Sequence, residues 1–454
     1  MLPQRIAVVG TGYVGLTTGA CLASLGHDVT CADVDEAKVE RLRRGRTDVL
    51  EPGLADLVAD GLAAGRLRFL VDLAEAAGEA EVLFLCLPTP SGRDGAADLT
   101  AVESVVHELR RVLRPRAVLV CKSTVPVGTA TRLAALVGRD DVAVVSNPEF
   151  LREGTAVADF LRPDRIVVGS DVPAAADRVA SLYAALDAPV VRTDARSAEM
   201  VKYAANCFLA MKLSYVNTLG ELCERLGADL AAVTEGMGLD RRIGPGFLRP
   251  GPGWGGSCLP KDAAAMVRMA ALAGVEFGLL RAAVEANQRH RGRVVAKVRA
   301  AVGGSLAGVR VGVLGLTFKA GTSDLRDSPA VEVVRLLCEE GAEVVAHDPV
   351  VSPELAGVVV VDDPYLAAKQ AEALVVLTEW PQFRAIDWAL VVRVMTGRTV
   401  VDPRNHLDPE SLARAGLVWL GTGRAVRGNT GRPVGEGFRR VGRGVDPGVD
   451  LGVG

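Results

Sequence analysis

The sequence predicts an α/β protein in which two doubly wound units flank a central helical region. Three features carry that expectation. Short apolar runs alternate with helix-length segments up to about residue 195, the same rhythm restarts near residue 309, and two long helical stretches lie between. The 454 residues suffice for about three domains, each with its own core. Hydrophobic residues make up 49% and charged residues 24%, a globular and rather apolar balance. A formal net charge of −3 gives no electrostatic footing for nucleic acid or an anionic membrane surface, so neither partner is expected. No apolar run reaches the ~20 residues needed to span a bilayer. Glycines 10, 12 and 15 interrupt the apolar start, so no signal peptide is expected there. Eight cysteines without a Cys-x-x-Cys spacing suit a reducing cytoplasm, and neither a disulfide framework nor a structural metal site is expected.

The first unit opens on a buried strand at 5–9, followed by Gly10-Thr11-Gly12-Tyr13-Val14-Gly15 and a small-residue helix to about Leu25. A turn at Gly26 leads into a second strand, 29–33, which ends in Asp33. The glycines permit a tight turn and close approach of a pyrophosphate, whose charge faces the helix N-terminus. Asp33 stands where an acid takes the adenosine ribose hydroxyls, which favours NAD over NADP. A glycine pattern alone is weak; with strand, helix, second strand and terminal acid it defines a Rossmann-like unit. Further strands are expected at 82–87, 117–121, 142–145 and 165–169.

From Ser197 the texture changes. Helices at about 197–226 and 275–301 flank a glycine-rich segment, and the first is apolar nearly all round, which marks a buried or interface helix. The second unit begins with a strand at 309–314 and Gly315-Leu316-Thr317-Phe318-Lys319, with later strands at 343–346, 373–377 and 399–401. It lacks the three-glycine fingerprint, so a related fold holding a different ligand is expected. After about Gly423 the chain is rich in Gly, Arg and Val without periodicity and reads as a flexible tail.

Open α/β sheets bind ligands beyond the carboxyl ends of their strands. Those ends carry Pro88-Thr89-Pro90, Lys122-Ser123-Thr124-Val125-Pro126, and a stretch from Ser146 to Gly154. Loop hydroxyls and prolines are as readily ordinary turn residues. Glu149 and Glu153 share a face if their segment is helical, and would then repel unless one is protonated or they hold water or a cation. A solvated acidic face is the plain alternative, weakened by Phe150 and Leu151 between them. Lys202 and Asn206 lie four apart on the apolar helix and are expected in a polar cavity as donors to an oxyanion; a snorkelling lysine is the alternative. In Gly255-Gly256-Ser257-Cys258-Leu259-Pro260-Lys261-Asp262, Pro260 suits the first turn of a helix that continues through 262–273. Cys258 then sits at a helix mouth, where free N–H groups and Lys261 favour a thiolate. Alone, such a cysteine reads as a small packing residue; with its companions it becomes a candidate nucleophile. A nicotinamide cofactor beside an activated cysteine suggests alcohol or aldehyde oxidation through a thiohemiacetal and a thioester.

Together and in this order, these segments closely resemble the UDP-glucose 6-dehydrogenase family over nearly all of residues 5–410. The likeness rests on the nucleotide turn, Pro88-Thr89-Pro90, Ser123-Thr124-Val125-Pro126 and the stretch from Asn147 to Gly154. It continues through Ala198 to Asn206, Arg242-Ile243-Gly244, the Cys258 block, and Gly315 to Lys319 with Arg326-Asp327-Ser328-Pro329. The resemblance implies oxidation of UDP-glucose to UDP-glucuronate with two NAD⁺ and one water. Cys258 would be the nucleophile, with Lys202 on the oxyanion, Asn206 beside the reacting carbon, and Asp262 orienting or deprotonating water. Thr124 and Glu149 would hold the hydrolytic water, with Glu149 as its base. Gly10, Gly12, Gly15, Asp33 and Lys38 match NAD-contacting positions, as do Thr89, Thr124, Glu153, Lys261 and Arg326. Substrate contacts are implied for Glu149, Phe150, Leu151, Arg152, Glu153 and Lys202. Further contacts are implied for Phe247, Leu248, Arg249, Pro250, Gly251, Gly255, Lys319 and Arg404. Arg242 matches an arginine that reaches across from a second subunit, so a homodimer or higher homo-oligomer is implied.

The resemblance divides the chain into an NAD-binding Rossmann-like domain (1–196), a central helical dimerisation domain with the cysteine (197–302), a UDP-sugar-binding Rossmann-like domain (303–423) and the tail (424–454). Trp254 and Leu259 depart from the tyrosine and phenylalanine common at those positions. Sister enzymes acting on GDP-mannose or UDP-N-acetyl sugars share the cysteine block and both folds. The forms Asn147-to-Leu151 and Pro250-to-Trp254 look more like the UDP-glucose branch. Rival expectations are a two-electron hydroxy-acid dehydrogenase using Lys202 and Asn206, and a sugar-nucleotide-binding protein without turnover.

Overall fold

A computed structural model describes residues 3–92 and 95–424. The expected tail therefore lies almost wholly outside the described residues. The N-terminal sheet comprises β1 (Arg5–Val9), β2 (Asp28–Ala32), β3 (Leu67–Leu70), β4 (Val82–Leu85), β5 (Val118–Cys121), β6 (Ala143–Ser146), β7 (Ile166–Gly169) and β8 (Val190–Thr193), in the order β3-β2-β1-β4-β5-β6-β7-β8. All pairings are parallel except β6 with β7, which meet antiparallel at Ser146 and Gly169. The C-terminal sheet is wholly parallel: β9 (Arg310–Leu314), β10 (Glu343–His347), β11 (Val358–Val361), β12 (Ala373–Val376), β13 (Thr399–Asp402) and β14 (Val418–Gly421), ordered β11-β10-β9-β12-β13-β14. Both sheets thus reverse direction beside their first strand, and that reversal opens a ligand crevice.

Apolar runs become strands here because both faces are covered. On β1, Ile6 and Val8 enter one buried cluster while Ala7 and Val9 enter another on the opposite face. Val311 and Val313 face one core of the C-terminal sheet and Leu314 the other.

The four strands absent from the sequence expectations are β3, β8, β11 and β14, the edges of the two sheets. An edge strand is short and covered on fewer sides, so its apolar run is weaker; Arg192 in β8 is an example. Four consecutive valines make β11 an exception with ample signal.

Between the sheets runs the helix Ala195–Leu226, which starts at Asp194, whose carboxylate accepts from the Ser197 amide, and stops at left-handed Gly227. The helices Leu259–Leu272 and Gly278–Ala301 pack against it, burying Tyr203, Cys207, Trp254 and Met266. Its outer face leaves Phe208, Tyr215 and Leu222 exposed, each seven residues from the next. No helix among the described residues is long and apolar enough to cross a membrane.

Candidate active site

The glycine turn after β1 is built by contact, as expected. Gly10 has φ +92°, and a Cβ there would come within 2.6 Å of the Cys86 carbonyl. A Cβ at Gly15 would meet the Gly10 carbonyl, whereas Gly12 has open space on its free side. That open side leaves the backbone at the start of the helix Tyr13–Ser24 free to be approached closely. Asp33 follows β2, accepts from the Thr11 amide and hydroxyl at 2.9 and 2.6 Å, and pairs with Lys38 at 3.1 Å. Burial pushes its carboxyl up, but the Thr11, Asp35 and Lys38 hydrogen bonds win and hold it down at about 2. The acid is therefore ionised and held in one orientation. The C-terminal sheet repeats this device differently. Asp348, after β10, accepts from the Leu316 and Thr317 amides and from the Trp380 indole at 3.1 Å. The tryptophan thus shares one oxygen of this acid with the two amides.

A cavity of about 590 Å³ lies between the carboxyl ends of both sheets and the helix Ala195–Leu226. Phe150, Lys202, Asn206, Phe247, Cys258 and Lys319 are among its walls. Leu151, Arg152, Glu153, Arg249, Pro250, Gly251, Gly255 and Arg404 also line it. Leu248 is buried outside the lining, and Thr124, Glu149 and Asp262 are buried outside it too.

Cys258 caps the helix Leu259–Leu272 from its N-terminus, with Pro260 in the first turn. The loop before it is held tightly: a Cβ at Gly255 would stand 1.9 Å from the Asp327 carbonyl, and Gly256 has φ +82°. Only glycine fits either place without displacing backbone or the Phe318 ring. The loop's polar backbone is satisfied by buried side chains. Asn287 both accepts from the Trp254 amide at 2.8 Å and donates to its carbonyl at 2.9 Å. Asn217 accepts from the Gly251 amide, and the Trp254 indole donates to Ser214.

Two charged pairs stand beside the cysteine. Lys202 donates to Glu149 at 2.8 Å, and the two side chains are only 4% and 7% exposed. The other Glu149 oxygen accepts from the Leu151 amide. Burial raises the Glu149 carboxyl, yet Lys202 and that amide outweigh it, so the group stays below its ordinary range. Burial likewise lowers Lys202, and Glu149 and Cys258 more than restore it. Asp262 accepts from Asn206 at 2.6 Å and from Lys261 at 2.5 Å. Thr124, at the end of β5, accepts through its carbonyl from the Thr89 hydroxyl at 2.8 Å.

The structure corrects three expectations. The Cys258 thiol is pushed up, not down, by burial and then by the Glu149 charge; Lys202, Ser257 and Lys261 oppose this without prevailing. Lys261, expected to favour the thiolate, is committed to Asp262. Glu149 and Glu153 do not share a helix face, because the chain from Asn147 to Arg152 forms no helix and the next one starts only at Ala156. Glu153 instead accepts from the Thr322 hydroxyl at 2.6 Å and lies 3.6 Å from Arg326, which is forked onto Asp324. Arg242 is exposed, pairs with Asp240 and lies outside this chain's cavity.

Arg404 donates to the Leu377 and Phe318 carbonyls and pairs with Glu379, which holds the Lys319 loop over the cavity. Sequence reasoning missed Glu199, Asn217 and Asn287. Glu199 is buried and accepts from the Gly128 and Ala130 amides, bracing the loop after Thr124. For Glu199 and Asn217 the signal was present: residues 199, 202, 206 and 217 are polar at a spacing that puts them on one side of the helix.

Comparison with known proteins agrees with this architecture. Residues 4–187 match the NAD binding domain of the UDP-glucose/GDP-mannose dehydrogenase family, 196–289 its central domain and 312–409 its UDP binding domain. A UDP-glucose 6-dehydrogenase of Rhizobium meliloti is 43% identical, over 93% of this chain and all of its own length. The structure of a UDP-glucose dehydrogenase from Pyrobaculum islandicum superposes with a TM-score of 0.84 at 38% identity, covering 93% of this chain and 98% of that one. A UDP-D-ManNAc dehydrogenase from Pyrococcus horikoshii gives 0.83 at 27% identity, covering 92% and 99%. With two NAD- and UDP-type sheets, a cysteine between them and relatives matched end to end, the chain belongs to the UDP-glucose/GDP-mannose dehydrogenase family.

Proposed function

We propose that this protein oxidises UDP-glucose at C6 to UDP-glucuronate in two steps. The observation that carries the reading is the convergence of Cys258, Lys202 and Asn206 on one cavity between the two sheets, with Glu149 and Asp262 hydrogen-bonded to the two donors from behind its wall. NAD, when bound, accepts one hydride in each oxidation. The C6 alcohol first becomes an aldehyde, and Cys258 adds to it through sulfur. Lys202 and the Asn206 amide donate to the oxygen that gains charge at that carbon. Oxidation of the adduct leaves a thioester, which water cleaves to the carboxylate and the free thiol. Glu149, kept ionised, takes the proton of that water, with Thr124 and Asp262 holding it in place. Because the resting thiol is raised, attack requires that its proton pass to a neighbour as the sugar binds. Phe150, Leu151, the Phe247–Gly251 loop, Lys319 and Arg404 hold the sugar nucleotide, and Asp33 and Lys38 the adenosine end of the cofactor.

We place this activity in a homodimer, with the Phe208–Tyr215–Leu222 stripe against a second copy and Arg242 extended toward the partner's cavity. Domain limits at 196 and 302 and a reducing, cytoplasmic setting complete the proposal; eight free cysteines support the latter. The test is a panel of UDP-glucose, GDP-mannose and UDP-N-acetyl sugars followed by NADH absorbance. UDP-glucose is expected to yield two NADH per sugar, and Cys258→Ser to bind substrate without forming acid. Preference for another sugar, or one NADH with free aldehyde, refutes the reading.

A further inference from the structure

One buried ion has no part in that scheme. Lys122 follows β5, precedes Thr124 by two residues and is 4% exposed. Among the described residues its ammonium has only neutral partners: it donates to the Asn147 side-chain oxygen at 3.0 Å and to the Tyr183 hydroxyl at 3.3 Å. Tyr183 donates to the same Asn147 oxygen at 2.6 Å, and the Asn147 amide donates to the Val167 carbonyl at 2.7 Å. The rings of Phe160 and Tyr183 lie 5.9 and 5.6 Å from the ammonium. This network joins the ends of β5, β6 and β7. A lysine buried without a direct ion pair is costly, and burial lowers its pKa to about 8. A role in packing alone would be served better by an apolar side chain.

Its surroundings suggest what the charge is for. Asn147 precedes Glu149 by two residues, and Lys122 and Glu149 both bound one small cavity of about 40 Å³, with Asp159 and Arg165 also on its walls. Glu149 favours the ammonium, and Lys202 opposes it. In the ligand-free arrangement Glu149 has two partners, Lys202 and the Leu151 amide. When Lys202 turns to the substrate oxygen, the carboxylate keeps one amide in a buried place. Such a group gains a proton and ceases to be a base. Lys122 is tied to Asn147 and Tyr183 and does not line the substrate cavity, so its charge stays where it is.

We propose that Lys122 is a positioning residue: it ties together the strand ends bearing Thr124 and Glu149, and its fixed charge keeps Glu149 ionised while Lys202 serves the sugar oxygen. The inference rests on the functional reading above. The test compares the wild type with Lys122→Met, Lys122→Arg and Asn147→Asp, using UDP-glucose and NAD. Three readouts are needed: the pH profile of steady-state turnover, the rapid first burst of NADH, and the mass of acylated Cys258. In K122M the acid limb is expected to move up by about one pH unit, the effect of losing one nearby opposite charge. The acyl-enzyme then accumulates while the first burst remains, and K122R restores the limb. N147D, which neutralises the ammonium in place, shifts the limb the same way even if K122M does not fold. An unmoved acid limb without acyl-enzyme in either folded variant overturns the inference. Absence of any NADH from the wild type would instead overturn the functional reading.

Discussion

Replacing Glu149 by Gln is predicted to make Cys258 more reactive while abolishing turnover. The Lys202–Glu149 contact is 2.8 Å long and nearly shut off from water. At an effective dielectric of about 20, two unit charges so close attract by roughly 6 kcal/mol, and the cost of burying both ions offsets much of that. Glutamine keeps an oxygen for the Leu151 amide but strands the ammonium; losing a buried partner costs about 3 to 5 kcal/mol. Lys202 can recover part of this by pairing with a new anion, and the Cys258 thiol is the ionisable neighbour already coupled to it. The substitution also removes the Glu149 charge that helps to raise the thiol. Both effects favour the thiolate. A fall of one pKa unit means about tenfold more thiolate at pH 7 and a comparable gain in alkylation rate. The assay is iodoacetamide labelling of the ligand-free protein from pH 6 to 10, read by intact mass. The wild type should label slowly at pH 7 and approach its plateau only above pH 9. E149Q should label about tenfold faster at pH 7, and E149Q/K202M should lose that gain. An unchanged or slower rate in E149Q would refute the electrostatic account of this cysteine.

Two further outcomes are expected. Asn287→Ala leaves the Trp254 amide without its buried partner and the carbonyl with Arg291 alone, and the unsatisfied amide costs about 1 to 3 kcal/mol; urea melts should show the loss, and the KM for sugar nucleotide should rise more than kcat falls. Acid should weaken the nucleotide-binding half through Asp33 and Glu149. Their carboxyls are depressed in the folded chain, so their stabilisation is complete above the ordinary carboxylate range and fades as pH falls. For Asp33 the fading runs from about pH 4 to about 2. Unfolding followed across pH 2 to 5 should show Asp33→Asn with a shallower slope than the wild type.

The parts of this protein that were legible in the sequence are those where one local pattern determines one outcome. Gly10 to Gly15 between two apolar runs could hardly be anything but a nucleotide turn, and Pro260 placed the helix start within a residue or so. Lys202 and Asn206 announced a cavity because a polar pair on an apolar helix needs one. What escaped depends on distant parts of the chain. The state of the Cys258 thiol is set by Glu149, over a hundred residues earlier, and by how closely the fold closes around sulfur. Glu149 and Glu153 are four apart, yet their segment lies between the end of a strand and a helix that starts only at Ala156, so that spacing carried no meaning. Asn287 looked like any polar residue of a long helix, and only the fold brings it to Trp254.

At Gly154 a Cβ would come within 2.8 Å of the Gly321 carbonyl. The two nucleotide-binding halves therefore touch main chain to main chain at this point, beside the Glu153–Thr322 bond. Their separation is gauged by the thickness of a peptide rather than by any side chain. Residues on the cavity walls can consequently be exchanged to admit a different sugar without altering the interval between the halves. The same abutment makes Gly154 an intolerant position: even a methyl group would act as a wedge, widening that interval beside the cavity wall that Glu153 forms.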